Sequence, residues 1–177
     1  GTPRTDQGGV ARGHGQHVYG PSAVARLHHT SGSDAVNNDK SWPATNGPAN
    51  GTVAGAGGIT MNVARTVSGT FQTAALIVNG NNLTFNGTCQ INSAGAFNPG
   101  SPTYGAASTL KYATGAFYGR FNEWTGALSG AGAPANVQIS NNTTLDPAAN
   151  GAGATAFQVG GNLTIDAGAK PSLTLPN

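Results

Sequence analysis

Two short segments of this chain repeat one another 80 residues apart, and an internal period constrains a fold more than any other single feature of a sequence. Residues 78 to 87 read Val-Asn-Gly-Asn-Asn-Leu-Thr-Phe-Asn-Gly, and residues 159 to 168 read Val-Gly-Gly-Asn-Leu-Thr-Ile-Asp-Ala-Gly. Asn82-Leu83-Thr84-Phe85 thus aligns with Asn162-Leu163-Thr164-Ile165. Two further blocks keep the same order. Trp42 with Pro48-Ala49-Asn50 matches Trp124 with Pro134-Ala135-Asn136, at separations of 82 for the Trp pair and 86 for the Asn pair. Tyr19-Gly20, Leu27 and Gly32 match Tyr104-Gly105, Leu110 and Gly115, at separations of 85, 83 and 83. Ordered agreement of this kind describes two diverged units of about 80 to 86 residues, roughly 19–100 and 104–177. Residues 1–40 carry few strand signals and read as a poorly patterned lead-in or first coils, with a β-solenoid over 41–177.

Within each unit the pattern is short strands broken by turns. Strand candidates are Ile59 to Val63, Leu76 to Val78, Leu83 to Phe85, Thr109 to Tyr112, Val137 to Ile139, Phe157 to Val159, Leu163 to Ile165 and Leu173 to Leu175. Each alternates apolar residues with Thr, Asn or Gln and is bounded by Gly, Asn, Asp or Pro, which supply the bends. No segment holds apolar residues at helical spacing over three turns, so no helix is expected. Strands this short, recurring Asn and Thr at matching places, and a unit too long for one hairpin all favour stacked parallel coils whose amides and hydroxyls pair along ladders. The expected fold is all-β, a right-handed parallel β-helix, with an antiparallel β-sandwich as the alternative.

Composition narrows the function classes. Charged residues are 8% of the chain while apolar residues are 37%, so neither self-repulsion nor a missing core argues for disorder. The eight basic and six acidic residues are scattered, which is no footprint for nucleic acid. No apolar run approaches the length of a membrane span. The sequence has no initiating Met and no leader, which reads as a processed protein or a piece of a longer one. Cys89 is the single cysteine, with no His or Lys near it in sequence, and is expected as a small buried strand residue rather than a reactive thiol.

One stretch suggests a family. Leu110-Lys111-Tyr112, Gly115, Tyr118-Gly119-Arg120, Glu123-Trp124, then Ala135 through Leu145 (Ala-Asn-Val-Gln-Ile-Ser-Asn-Asn-Thr-Thr-Leu) and Gly161 through Gly168 resemble the β-helical repeat of large secreted surface and adhesin-like proteins of Bacteroidota-type bacteria. The resemblance covers about residues 104–175 well and 42–87 loosely. It implies a right-handed β-helical stalk or adhesin segment exported to the cell surface. It specifies an architecture and a compartment, and it is not diagnostic of an activity.

No constellation marks an active site. The acids are Asp6, Asp34, Asp39, Glu123, Asp146 and Asp166; Asp39 and Glu123 stand at equivalent places before the two Trp residues, and a turn role is favoured over catalysis for both. His14, His17, His28 and His29 lie near one end without a supporting Cys or carboxylate, so no metal and no cofactor is expected. Gly55 to Gly58 and Gly151 to Gly153 precede no helix and read as corners rather than phosphate loops. Aromatic residues crowd the segment from Tyr112 to Trp124; Tyr112, Tyr118 and Trp124 are the candidate residues for stacking a sugar ring, weighed against packing in a core or corner.

The functional expectation is a non-enzymatic, extracellular or cell-surface structural and adhesive solenoid, with a glycan or cell-surface ligand and end-to-end self-assembly as its possible partnerships. The alternatives are a carbohydrate-binding or carbohydrate-cleaving β-helix, and an ice-binding surface, for which the sequence lacks sustained Thr-x-Thr ranks.

Overall fold

The computed structural model describes residues 26–29, 34–35, 49–54, 57–61, 63–148 and 157–172. Its strands run in chain order β1 (Arg26–His29), β2 (Asp34–Ala35), β3 (Asn50–Val53), β4 (Ile59–Thr60), β5 (Arg65–Val67), β6 (Thr70–Thr73) and β7 (Leu76–Val78). A single 3-10 turn, Gly80–Asn82, leads into β8 (Leu83–Phe85), β9 (Thr88–Ile91), β10 (Ala96–Phe97), β11 (Thr103–Tyr104) and β12 (Thr109–Tyr112). The remainder are β13 (Phe117–Gly119), β14 (Asn136–Ile139), β15 (Thr144–Asp146), β16 (Leu163–Ile165) and β17 (Lys170–Pro171). Among the described residues there is no α-helix.

The strands form a long sheet of order β1-β3-β6-β9-β12-β14-β16, a second of order β2-β4-β7-β10, a third of order β5-β8-β11 and a fourth of order β13-β15-β17. Every pairing between these strands is parallel, so the fold is all-β with parallel sheets and the antiparallel sandwich is excluded. The chain returns to the long sheet one strand further along each time. The shortest return, Thr70 to Thr88, takes 18 residues, and the longest, Thr109 to Asn136, takes 27.

Alternation explains why these segments become strands. In β3, β6, β9, β12 and β14 the second and fourth residues are buried and the first and third are half-buried. Register then stacks like on like: Phe71 stands beside Cys89, Cys89 beside Leu110, and Leu110 beside Val137. Each such apolar side chain contributes about 1.5–3 kcal/mol on burial when large, which a four-residue strand lacks in backbone terms alone. Gly51 supplies room in the same column, because a Cβ there would sit 2.9 Å from the Phe71 ring. The second and third sheets close the core with Ile59, Ile77, Leu83, Phe85 and Phe97, all buried.

Asparagine ties one return of the chain to the next. Asn50 Oδ1 accepts from the Thr70 backbone N–H at 2.8 Å, and Asn136 Oδ1 accepts from that of Asn162 at 3.0 Å. Asn136 Nδ2 donates to the Ser108 carbonyl at 2.9 Å, Asn141 Nδ2 to that of Ala113 at 3.1 Å, and Asn82 Nδ2 to that of Met61 at 2.7 Å. These bonds engage amides and carbonyls at the strand ends, and the Ser108 carbonyl accepts the Asn136 backbone N–H as well.

Three sequence expectations need correction or placing. Asn50 and Asn136, matched by the repeat, open strands of the same sheet, but Leu83–Phe85 lies in the third sheet and Leu163–Ile165 in the long sheet. The Asn-Leu-Thr motifs therefore do not stack on one another: returns of unequal length move a fixed sequence spacing from one sheet to another. Phe157 to Val159 forms no strand, because Phe157 is drawn into side-chain packing at the joint described below. Leu173 to Leu175 and Trp42 lie outside the described residues, whereas Arg26–His29, within the poorly patterned first 40 residues, joins the long sheet as β1.

Candidate functional site

Only the long sheet runs through the whole stack. The second and third sheets stop at β10 and β11, and the fourth begins at β13. The chain makes this change by an excursion through residues 120–135, between β13 and β14, that holds no strand. The excursion covers the edges where the two sheets stop: Asn122 N–H donates to the Phe97 carbonyl at 3.1 Å, Gly132 N–H to that of Pro102 at 2.7 Å, and Thr103 forms an isolated antiparallel bridge with Ala131. Bare parallel edges would otherwise be templates for further pairing.

Covering the edges carries two charged residues inside. Glu123 is fully buried and Arg120 nearly so. Glu123 Oε1 accepts from the Phe121 backbone N–H at 3.0 Å, and the hydroxyls of Tyr112 and Tyr118 lie 3.3 and 3.2 Å from it. The Tyr104 hydroxyl donates to the Glu123 backbone carbonyl at 2.7 Å. Glu123 Oε2 is buried with no partner among the described residues. Burial pushes the Glu123 carboxyl up from the usual range, against the pull of the Phe121 amide and the two phenols. A phenol carries one proton, and the Tyr118 oxygen is 2.9 Å from the Gly95 carbonyl as well as 3.2 Å from Glu123 Oε1. The one phenolic proton is therefore shared between the Gly95 carbonyl and Glu123 Oε1.

Arg120 is held by carbonyls. Its Nε donates to Pro147 O at 2.5 Å and its Nη1 to Phe121 O at 3.0 Å and Trp124 O at 2.5 Å, with the guanidinium carbon 4.4 Å from the centre of the Phe157 ring. Burial lowers its pKa, and the phenol and carboxyl groups nearby oppose that shift. Trp124 meets Phe157 edge to face at 5.3 Å and donates from Nε1 to Gln158 O at 3.1 Å.

The structure brings Tyr112, Tyr118 and Trp124 to this joint, but inside it. They are 0, 8 and 4% exposed, so they offer no open ring face and do not form the stacking strip that sequence crowding suggests. The exposed ring is Phe117, 65% exposed, beside a cleft of about 380 Å³ lined by Ala94 to Ala96, Phe117 to Gly119 and Phe121. Sequence reasoning treated Glu123 as a turn residue; its burial follows from the long-range covering of β10 and β11, for which no local signal exists. Cys89 is buried in β9, and burial first and the nearby Glu123 second push its thiol up, which leaves it a poor nucleophile.

Among the described residues Asp146 and Asp166 serve local hydrogen bonds. Asp146 caps the Ala148 amide at 2.9 Å and Asp166 accepts from Gln138 Nε2 at 3.1 and 2.9 Å. Among the described residues no three His, Cys, Asp or Glu gather as metal ligands do. His14, His17 and Asp39 lie outside the described residues. No described helix is long and apolar enough to cross a membrane.

The other organised surface is the outer face of the long sheet. One file runs Thr70, Thr88, Thr109, Asn136; a second runs Thr52, Gln72, Gln90, Lys111, Gln138, Thr164. Gln90 Nε2 donates to Asn92 Oδ1 at 2.8 Å and Asn92 Nδ2 to Gln72 Oε1 at 3.5 Å, which holds the amides along the face. Lys111 is the one charged residue at these positions, and β1 continues the two files with Arg26 and His28. No protein-family model matches the chain, and neither curated proteins nor solved structures give a match.

Proposed function

We propose that the chain is a right-handed parallel β-helix with a structural and adhesive role, held at or outside the cell surface, and that it is not an enzyme. The observation that carries this reading is the in-register parallel sheet of seven strands, whose outer positions from β3 to β16 are hydroxyl or amide residues except for Lys111. Parallel strands linked through other sheets follow a right-handed path in almost all proteins, which supports the handedness. A stack of this kind spends its sequence on extension and on a repeated surface. The joint fits a structural part: its phenols, its guanidinium and Oε1 of its carboxyl are engaged by groups of the chain itself.

The same reading includes self-association at the stack end. Leu163 and Ile165 stand in line with the buried Val137 and Ile139, yet they are 52 and 45% exposed. An apolar strand of this sort fits a further coil in continuation of the sheet, from more of the chain or from a second copy. Protease shaving of intact producing cells tests the location, with release of fragments of this chain expected and complete protection contrary to the proposal. Sedimentation at rising concentration tests assembly: association should disappear in Leu163→Lys with Ile165→Lys, and a monomer at all concentrations removes that part. Sustained release of sugars from a glycan substrate would contradict the non-enzymatic role.

A further inference from the structure

Resting on that adhesive reading, we propose that the outer face of the long sheet docks a neutral, extended polysaccharide whose chain runs across the strands. The face opens as a groove of about 300 Å³ lined by Asn50, Thr52, Thr70 and Gln72, from the neighbouring strands β3 and β6. Its chemistry is hydroxyl and primary amide, which donate and accept in the way sugar hydroxyls do. Among the described residues the hydroxyls of Thr52, Thr70, Thr88 and Thr109 hold no hydrogen bond, so their capacity faces outward. The amides are different: the Gln72, Asn92 and Gln90 chain fixes them before any ligand arrives, which reduces the ordering cost of binding.

Period and charge select the ligand class. Neighbouring strands lie about 4.8 Å apart, close to the advance per sugar of an extended β-linked glycan, so each successive sugar meets an equivalent pair of side chains. The two files are about 7 Å apart along the strands, which brackets one chain in width. The charged positions in the files, Arg26 and Lys111, stand four strands apart, so no run of cations complements a run of phosphates or uronates. Ordered ice is a poorer match, because each Thr of the first file is followed two residues on by Gln or Lys, and no sustained Thr-x-Thr rank templates a lattice.

Co-sedimentation with insoluble β-1,4-glucan and with the β-1,4-linked polymer of N-acetylglucosamine tests the proposal, beside a polyuronate and an α-linked dextran. Saturable binding to at least one β-linked neutral polymer is expected, undiminished at ~1 M salt, where the Debye length falls to about 3 Å. Combining Thr70→Val, Thr88→Val and Thr109→Val keeps β-branched side chains and removes the hydroxyls; affinity should fall about tenfold or more. Gln72→Glu places a charge in the groove with almost no change of shape and gives the same direction of effect if the triple variant fails to fold. Phe117→Ala, in the aromatic cleft, should leave binding unchanged. The proposal is overturned by a folded protein that binds no neutral polymer, by loss of binding in Phe117→Ala alone, by a preference for the polyuronate that Lys111→Ala removes, or by thermal hysteresis without glycan binding. A chain that is released from intact cells yet binds no glycan overturns this inference alone and leaves the structural role standing.

Discussion

Phe85 and Glu123 are both fully buried, and they are held by opposite means. Phe85 lies among Phe71, Phe97 and Tyr104, with ring centroids 5.4, 6.1 and 5.9 Å away. Glu123 lies among phenols, an amide and the carbonyl-bound guanidinium of Arg120. Hydrocarbon packing is tolerant of direction, so one return of the chain stacks on the next with whatever apolar residue fits. Directional hydrogen bonds tolerate one arrangement. The apolar region therefore extends the stack, and the polar joint fixes the place where its cross-section changes from three sheets to two.

The contrast can be broken by experiment. Phe85→Ala removes the ring at the centre of the aromatic group and should cost about 4 kcal/mol, read by urea denaturation. A loss below about 1 kcal/mol would mean that the region collapses around the gap and that its packing is not specific. Arg120→Met keeps much of the volume and deletes the bonds to Pro147, Phe121 and Trp124; leaving buried carbonyls bare should cost about 3 kcal/mol. Hydrogen exchange should rise first in β13 and β15 in that variant. Equal loss of protection in β6 to β8 would show that the two regions unfold as one unit and remove the distinction between them.

The smallest effect is the most diagnostic. The Glu123 carboxyl is raised in the folded protein above the unfolded value of about 4.3, so the folded state holds its proton more tightly. Its contribution is fully present below that unfolded value, declines as pH rises, and is lost once pH passes the raised folded value. Glu123→Gln cannot ionise and should flatten this decline, read as urea midpoints that differ less between mildly acid and mildly alkaline pH than those of the wild type. A wild type and a variant with parallel pH profiles would show that burial does not raise the Glu123 carboxyl in the joint.

Some of this could be read from residues. Leu76–Val78, Leu83–Phe85, Thr109–Tyr112 and Leu163–Ile165 are strands with the expected bounds, because each alternates or clusters apolar residues between turn formers. Thr70–Thr73 and Thr88–Ile91 were not picked out: a strand with Phe71 or Cys89 as its apolar centre and Thr and Gln on the outside carries too little apolar signal in four residues. They are strands because neighbours above and below supply both ladder partners and a column for the inward side chains. The candidate site was less legible. Aromatic crowding from Tyr112 to Trp124 is visible in the sequence, but the same letters serve an exposed strip or a buried plug.

By itself the sequence determined the grammar of this protein: short parallel strands, glycine and asparagine corners, and a surface almost free of charge, all consequences of local backbone preference and composition. Only the tertiary structure decided which motifs share a sheet, that Asn82-Leu83-Thr84 and Asn162-Leu163-Thr164 lie in different ones, and that Glu123 is buried rather than in a surface turn. The reason is that returns of 18 to 27 residues are set by how loops pack across the stack. That packing joins residues far apart in the chain, and no local pattern encodes it.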